Sequence, residues 1–267
     1  MPDPIRKIAL SRYAAQALAA RPELAGETDP ARAARAPFSA AEMAQALAGS
    51  DSDDEAAFKR RLRRLRRRVL LRTMARDLAG DMHSPAGGMR GLAEVCATMS
   101  ELAELSIRAA LRWLREEELI VVAMGKLGGG ELNVSSDIDL VFVDPEPREN
   151  PADPRQLERT GRKLIALLND VTGDGFAFRV DMRLRPYGDS GALVSGFEAL
   201  EAYFVAQGRE WERYAWIKAR AVSGSVSNKK ALEEIVRPFV YRKYLDYATL
   251  AAMRRLHAEV RRDAARR

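Results

Sequence analysis

The sequence predicts a mixed α+β chain, with a small α/β core set between helical flanks, and three observations carry that expectation. The first 118 residues are dominated by Ala, Leu, Glu and Arg and hold no strand-like run. At Glu118 the character changes, and two short apolar runs, Leu119-Ile-Val-Val-Ala-Met124 and Asp137-Ile-Asp-Leu-Val-Phe-Val143, stand on either side of a glycine-rich turn. Residues 175–185 then alternate with the period of two that marks a strand, and helix-forming sequence returns from Gly196 onward.

Taken in order, helices are expected over 4–18, 39–48, 55–79 and 92–115, with breaks at 26–37, at Gly49-Ser-Asp51 and at Ser84-Pro-Ala-Gly-Gly88. Within 55–79, Phe58, Leu62, Leu65 and Val69 recur at helical spacing and make one apolar stripe, with arginines around the rest. The acidic stretch Asp51-Ser-Asp-Asp-Glu55 precedes those arginines, in the order the helix dipole favours. Strands follow at 119–124 and 137–143, a helix over 156–169, and a third strand over 175–185. Helices close the chain over 197–207, part of 210–221, 229–236 and 247–267. The expected domains are a helical region at 1–118, a core at 119–222 and a C-terminal helical region at 223–267.

Composition narrows the function classes. The 267 residues are 47% hydrophobic and 31% charged, enough for one large core or two modest ones. No apolar run approaches the length of a membrane span, and the start carries no secretion signal. Cys96 is the only cysteine, which fits a cytoplasmic location, and the distant His83 and His257 argue against a zinc site. The net charge of +6 raises the question of nucleic acid, yet much of it lies in the arginine-rich helix, where no aromatic residues interleave. A solvated helix packed through its stripe, with Arg60, Arg64 and Arg67 exposed, is the favoured reading over a phosphate-backbone surface.

The chemistry is expected at Ser135-Ser136-Asp137-Ile138-Asp139. On a strand Asp137 and Asp139 share one side, while Ile138, Leu140 and Phe142 take the other. On the third strand Arg179, Asp181, Arg183 and, through Pro186, Arg185 share a face opposite Phe176, Phe178 and Val180. Three carboxylates of this kind can hold two divalent ions roughly 3.5–4 Å apart for in-line displacement at phosphorus. Gly128 and Gly129 would let backbone N–H groups approach phosphate, with the Ser135 and Ser136 hydroxyls beside them. Arg183 and Arg185 suit phosphate clamping. Lys126 lacks the Gly-x-x-x-x-Gly-Lys-Ser/Thr setting of a Walker site. Arg209 to Arg213 form a charged knot for which a substrate-side role and local ion pairing are both open.

Three blocks together resemble the glutamine synthetase adenylyltransferases of the DNA polymerase β-like nucleotidyltransferase superfamily. They are Met124-Gly-Lys-Leu-Gly-Gly-Gly-Glu-Leu-Asn-Val-Ser-Ser-Asp-Ile-Asp-Leu-Val-Phe142, Arg179-Val-Asp-Met-Arg-Leu-Arg-Pro-Tyr-Gly-Asp-Ser-Gly191, and the run from Tyr203 to Arg220. The resemblance implies a polymerase β-like core with a mixed β-sheet. It implies Asp137, Asp139 and Asp181 as catalytic, metal-binding carboxylates for Mg2+, two ions expected and Mn2+ an alternative. It places Lys218 or Arg220 near phosphate. Asn133 before the serines, and Gln207-Gly-Arg-Glu-Trp-Glu212, are similar to the domain that removes AMP from a tyrosine of glutamine synthetase by phosphorolysis, giving ADP. Adenylyl transfer from ATP is the alternative within the class, and a non-catalytic basic binding module the alternative outside it. Implied partners are glutamine synthetase, phosphate, ADP or ATP and, for the full-length enzyme, the PII signalling protein; no membrane or nucleic acid is implied. The family's enzymes carry two such domains and this chain one, so it is expected to be part of a longer chain.

Overall fold

The computed structural model describes residues 11–29, 36–52, 54–79, 88–145, 153–241 and scattered positions between 251 and 266. The helix expected over 247–267 and the first part of that over 4–18 fall largely outside them. The described helices are α1 (Arg12–Ala20), α2 (Ala40–Leu47), α3 (Glu55–Ala79), α4 (Gly88–Leu114), α5 (Gly125–Gly128), α6 (Pro154–Asn169), α7 (Phe197–Ala206), α8 (Glu210–Trp216) and α9 (Val226–Val240). The strands are β1 (Ile120–Ala123), β2 (Ile138–Asp144), β3 (Val180–Asp181), β4 (Val194–Gly196) and β5 (Arg220–Ala221).

The chain divides into two compact units, each discontinuous in sequence. The first holds residues up to Glu116 with Gly130–Ile138 and Lys163–Val180, and the second holds the rest. This departs from the expected three-part division. The 223–240 helix belongs with the core rather than to a separate region, because Leu232, Phe239 and Val240 join the same apolar cluster as β1 and β2.

In the first unit, Ser39 and Glu42 form a reciprocal capping box that starts α2. The α3 stripe packs as expected, with Phe58, Leu62, Leu65 and Val69 all buried. The arginines around that stripe are not the solvated face the sequence suggested. Arg63 is 1% exposed and donates to the carbonyls of Lys59, Leu167, Asp170 and Gly175, which satisfies the end of α6 and the turn after it. Arg72 is equally enclosed and pairs with Glu27 at 2.6 Å and Glu42 at 2.9 Å. Arg67, expected to be exposed, donates to the Asp174 carbonyl at 2.9 Å. Arg60 and Arg64 do face solvent. The helix uses guanidinium forks as internal struts, since each fork offers five donors where backbone carbonyls at helix ends need them.

The second unit is built on a mixed sheet of order β3-β2-β1-β5, with β4 parallel to β2. β1 and β2 are antiparallel, Ile120 opposite Val143 and Ala123 opposite Leu140. Val141 and Val143 are as buried as Leu140 and Phe142, so β2 is covered on both faces beyond Asp139. The third strand is shorter than expected. Only Val180 and Asp181 are extended, and the chain then turns, Arg185 N donating to the Met182 carbonyl at 3.2 Å. Ile120, Val122, Val141 and Val143 pack on Phe204, Trp216, Leu232 and Phe239. The Phe204 and Phe239 rings stack 4.2 Å apart, and a Cβ on Gly208 would lie 2.4 Å from the Phe239 ring.

The charged knot makes local contacts, one of them the Arg213–Glu210 ion pair. Glu212, 4% exposed, accepts from the Tyr203 hydroxyl and, at 2.9 Å, from the Arg209 backbone N–H. Arg213, fully buried, donates to the Phe239 carbonyl at 2.8 Å and to Glu210 at 2.7 Å. Burial first, and then the Glu212 carboxylate, push the Tyr203 phenol up to about 12.

Two outcomes follow for stability. Replacing Arg63 with Met should strand its carbonyl partners and cost at least about 3 kcal/mol in urea unfolding, whereas Arg64→Gln should stay within about 0.5 kcal/mol. Tyr203 is raised in the folded state, so its contribution is complete below pH about 10, the ordinary tyrosine value, and is lost as pH rises towards 12. Tyr203→Phe should therefore melt lower than wild type at pH 8, with the gap narrowing by pH 11.5; a constant gap would contradict this account of the hydroxyl.

Candidate active site

Asp139, Asp181, Arg183, Arg185, Lys218, Gly128 and Gly129 belong to the second unit, and Ser135, Ser136 and Asp137 to the first. In the second unit the site starts from the β1–β2 pair. Met124, just past β1, donates its N–H to the Asp139 carbonyl at 2.9 Å. The chain then enters the single turn α5 through Gly125, whose φ is +53°. A Cβ there would lie 2.7 Å from Asp139 Oδ2, so only glycine lets the half-buried carboxylate stand against this turn.

Gly128 and Gly129 are used differently from the expectation. Their amides donate within the turn, Gly128 N to the Met124 carbonyl at 2.9 Å and Gly129 N to that of Gly125 at 3.2 Å. Gly128 is a close-packing position: a Cβ on it would lie 2.1 Å from the Lys218 carbonyl oxygen. That approach brings the Lys218 backbone over the turn, with its side chain exposed. Arg220 donates to the carbonyls of Leu127 and Gly128, each at 3.2 Å, and so closes the end of the turn.

Asp181 lies at the end of β3 and is gripped by Arg183. Nε and Nη2 of Arg183 approach Oδ2 at 2.9 and 2.5 Å, and the Arg183 backbone N–H meets Oδ1 at 2.9 Å. The guanidinium hydrogen bond holds the Asp181 carboxyl below the ordinary carboxylate range. In turn Asp181, and more distantly Asp189 and Asp139, raise the basicity of Arg183, which is exposed. Arg185 does not continue that face. It folds back to donate to the Met182 carbonyl at 2.9 Å, because the turn after β3 redirects its backbone. Tyr187, exposed and left-handed at φ 60°, sits edge-on to Tyr203 at 4.6 Å.

In the first unit Asn133 organises the serine turn. Its Oδ1 accepts from the Ser135 backbone N–H at 3.1 Å and the Ser136 hydroxyl at 2.8 Å. Asp137 is half exposed and paired with Arg179, whose Nη2 also donates to the Ser135 carbonyl at 2.7 Å. The signal for Arg179 was present in the alternation that put it on the face of Asp181, but its partner was not readable from spacing.

Of the three expected carboxylates, Asp137 belongs to the first unit and Asp139 and Asp181 to the second. Among the described residues no group of three or more His, Cys, Asp or Glu side chains is placed to hold a metal ion. Two of the three carboxylates are instead held by guanidinium groups, Asp137 by Arg179 and Asp181 by Arg183. The residue types suit a hard divalent ion, as carboxylate oxygens do.

Comparison with known proteins agrees with the three sequence blocks. The family model described as glutamate-ammonia ligase adenylyltransferase matches residues 4–235. A protein of Chromobacterium violaceum named bifunctional glutamine synthetase adenylyltransferase/adenylyl-removing enzyme is 48% identical, over 98% of this chain and 30% of its own length. Proteins of the same name from Nitrosomonas eutropha and Aromatoleum aromaticum are 49% and 45% identical, covering 86% and 100% of this chain and 27% and 29% of their own. The chain thus spans less than a third of these relatives. With the match running through both units and all three blocks, the chain belongs to the glutamate-ammonia ligase adenylyltransferase family.

Proposed function

We propose that this chain removes AMP from adenylylated glutamine synthetase by phosphorolysis. An oxygen of inorganic phosphate attacks the phosphorus of the tyrosyl-AMP. The bond from phosphorus to the tyrosyl oxygen breaks, the phenolate takes up a proton, and the AMP leaves as ADP. The observation that carries this reading is Asp139, held by the β1–β2 pair against a turn that only glycine permits, in the same unit as the exposed Arg183 that pairs with Asp181. A carboxylate fixed on a buried strand, in a unit that also presents a solvent-facing guanidinium, suits a polyanionic reacting group better than a structural ion pair does.

In this reading Arg183 and Lys218 draw in phosphate, with the Ser135 hydroxyl as a further donor and the Ser136 hydroxyl available once it leaves Asn133. Asp137, Asp139 and Asp181 would be the residues to hold Mg2+ or Mn2+, which would neutralise charge on the phosphoryl oxygens. Arg185, folded back on its own turn, positions that loop. The removing direction rests on the likeness of Asn133-Val-Ser-Ser-Asp137 and Gln207-Gly-Arg-Glu-Trp-Glu212 to removing domains. The basic-module alternative is weakened by α3, whose arginines are largely spent on carbonyls and carboxylates of the first unit.

The test is incubation with adenylylated glutamine synthetase, Mg2+ and phosphate, with ADP measured by a coupled assay. ADP should form in proportion to phosphate; pyrophosphate release from ATP with unmodified glutamine synthetase would point to the adding direction instead. Asp139→Asn should lower turnover at least about a hundredfold, the scale of losing one group that stabilises the transition state. Arg183→Gln should raise the KM for phosphate about tenfold, equivalent to about 1.4 kcal/mol. A wild-type rate in Asp139→Asn would remove the basis of the assignment.

A further inference from the structure

Arg179 holds the Ser135–Ile138 segment by three separate contacts, all within the first unit. Its Nε donates to Asp137 Oδ1, its Nη2 to the Ser135 carbonyl at 2.7 Å, and its own carbonyl accepts from Ile138 N at 2.9 Å. One residue therefore grips the segment before, at and after the carboxylate. The side-chain pair is half open to water, 51% and 49% exposed, so it can exchange partners without a buried charge being stranded.

The groups behind Arg179 favour exchange. Its guanidinium lies 5.4 Å from the Phe176 ring centroid, and that of Arg66 lies 4.8 Å from the same ring. Two cations contact one aromatic ring, and burial, with a smaller contribution from the charge of Arg179, lowers the basicity of Arg66. Arg179 thus has a like charge nearby, across the Phe176 ring contacts, as well as its anion Asp137. Asp137 compensates that repulsion, and any cation arriving at Asp137 competes directly with the guanidinium.

We propose that Arg179 is a positioning residue that occupies Asp137 as a cationic placeholder, keeping the Ser135–Asp137 segment in shape until an incoming divalent cation displaces it. The proposal rests on the reading that Asp137 takes part in holding that cation. It accounts for an acidic residue of the site being already neutralised, and it gives a role to Phe176 and Arg66, which touch no site carboxylate.

The test is Mn2+ titration of the whole 267-residue chain, free Mn2+ being followed by its electron paramagnetic resonance signal without nucleotide. Arg179→Gln should bind Mn2+ about two- to fivefold more tightly than wild type, the range an exposed ion pair supports. Arg179→Lys keeps the charge and should stay within about twofold of wild type. In an Asp137→Asn background the gain from Arg179→Gln should vanish. Unchanged or weaker binding by Arg179→Gln, with Asp137→Asn itself weakened, would overturn the placeholder role alone. Wild-type affinity in Asp137→Asn would overturn the reading of Asp137 as a cation ligand and the placeholder with it. Should Arg179→Gln melt far below wild type, Arg179→Met supplies the same charge removal, and the same two outcomes apply.

Discussion

The antiparallel pairing of β1 with β2 is the constraint on which the candidate site depends. Ile120 to Ala123 are buried, their partners from Leu140 to Val143 are buried, and the register places Ala123 opposite Leu140. That register leaves Asp139 one residue beyond the pair, where its carbonyl is taken by Met124 and its carboxylate meets Gly125. A slip by one residue would carry the Asp139 carboxylate to the face where Ile138 and Leu140 are buried and away from Gly125, at a cost no surface ion pair could offset. The position of the acid is thus set by hydrophobic burial, and its surroundings by the absence of a side chain at residue 125.

Charge is handled in one manner throughout the molecule. A net charge of +6 suggests a surface built for polyanions, yet many arginines answer internal needs. Arg63 and Arg213 are buried and satisfy main-chain carbonyls, Arg72 bridges two glutamates, and Arg220 closes the turn before the glycines. At the site the same device covers carboxylates, with Arg179 on Asp137 and Arg183 on Asp181. The buried struts are fixed because breaking them leaves polar groups stranded, while the exposed pairs cost little to open. That difference separates scaffold arginines from those suited to exchange during function.

Long periodic segments were legible in the sequence. The bounds of α3 and the inward set Phe58, Leu62, Leu65 and Val69 agree with the apolar spacing, and the pattern of β2 was readable within one residue. Short elements were not. β4 and β5 are three and two residues long, too short to show a period, and they exist because β2 and β1 offer edges to pair with. The third strand was overread because alternation continues past Asp181 while the backbone turns at Met182 to Arg185. Nor can spacing tell an arginine that enters the interior, such as Arg63, from one that faces water, such as Arg64, since the difference lies in carbonyls more than a hundred residues away. At the site, the residue types were readable, but their arginine partners depend on tertiary placement.

In the proposed reaction, phosphate is directed onto the AMP of a modified tyrosine. The most direct measurement follows 18O-labelled inorganic phosphate by 31P NMR during incubation with adenylylated glutamine synthetase. The account predicts label in the β-phosphate of ADP, with the tyrosyl oxygen left on glutamine synthetase. Release of AMP without transfer of labelled phosphate, or no loss of AMP from the protein, would contradict it.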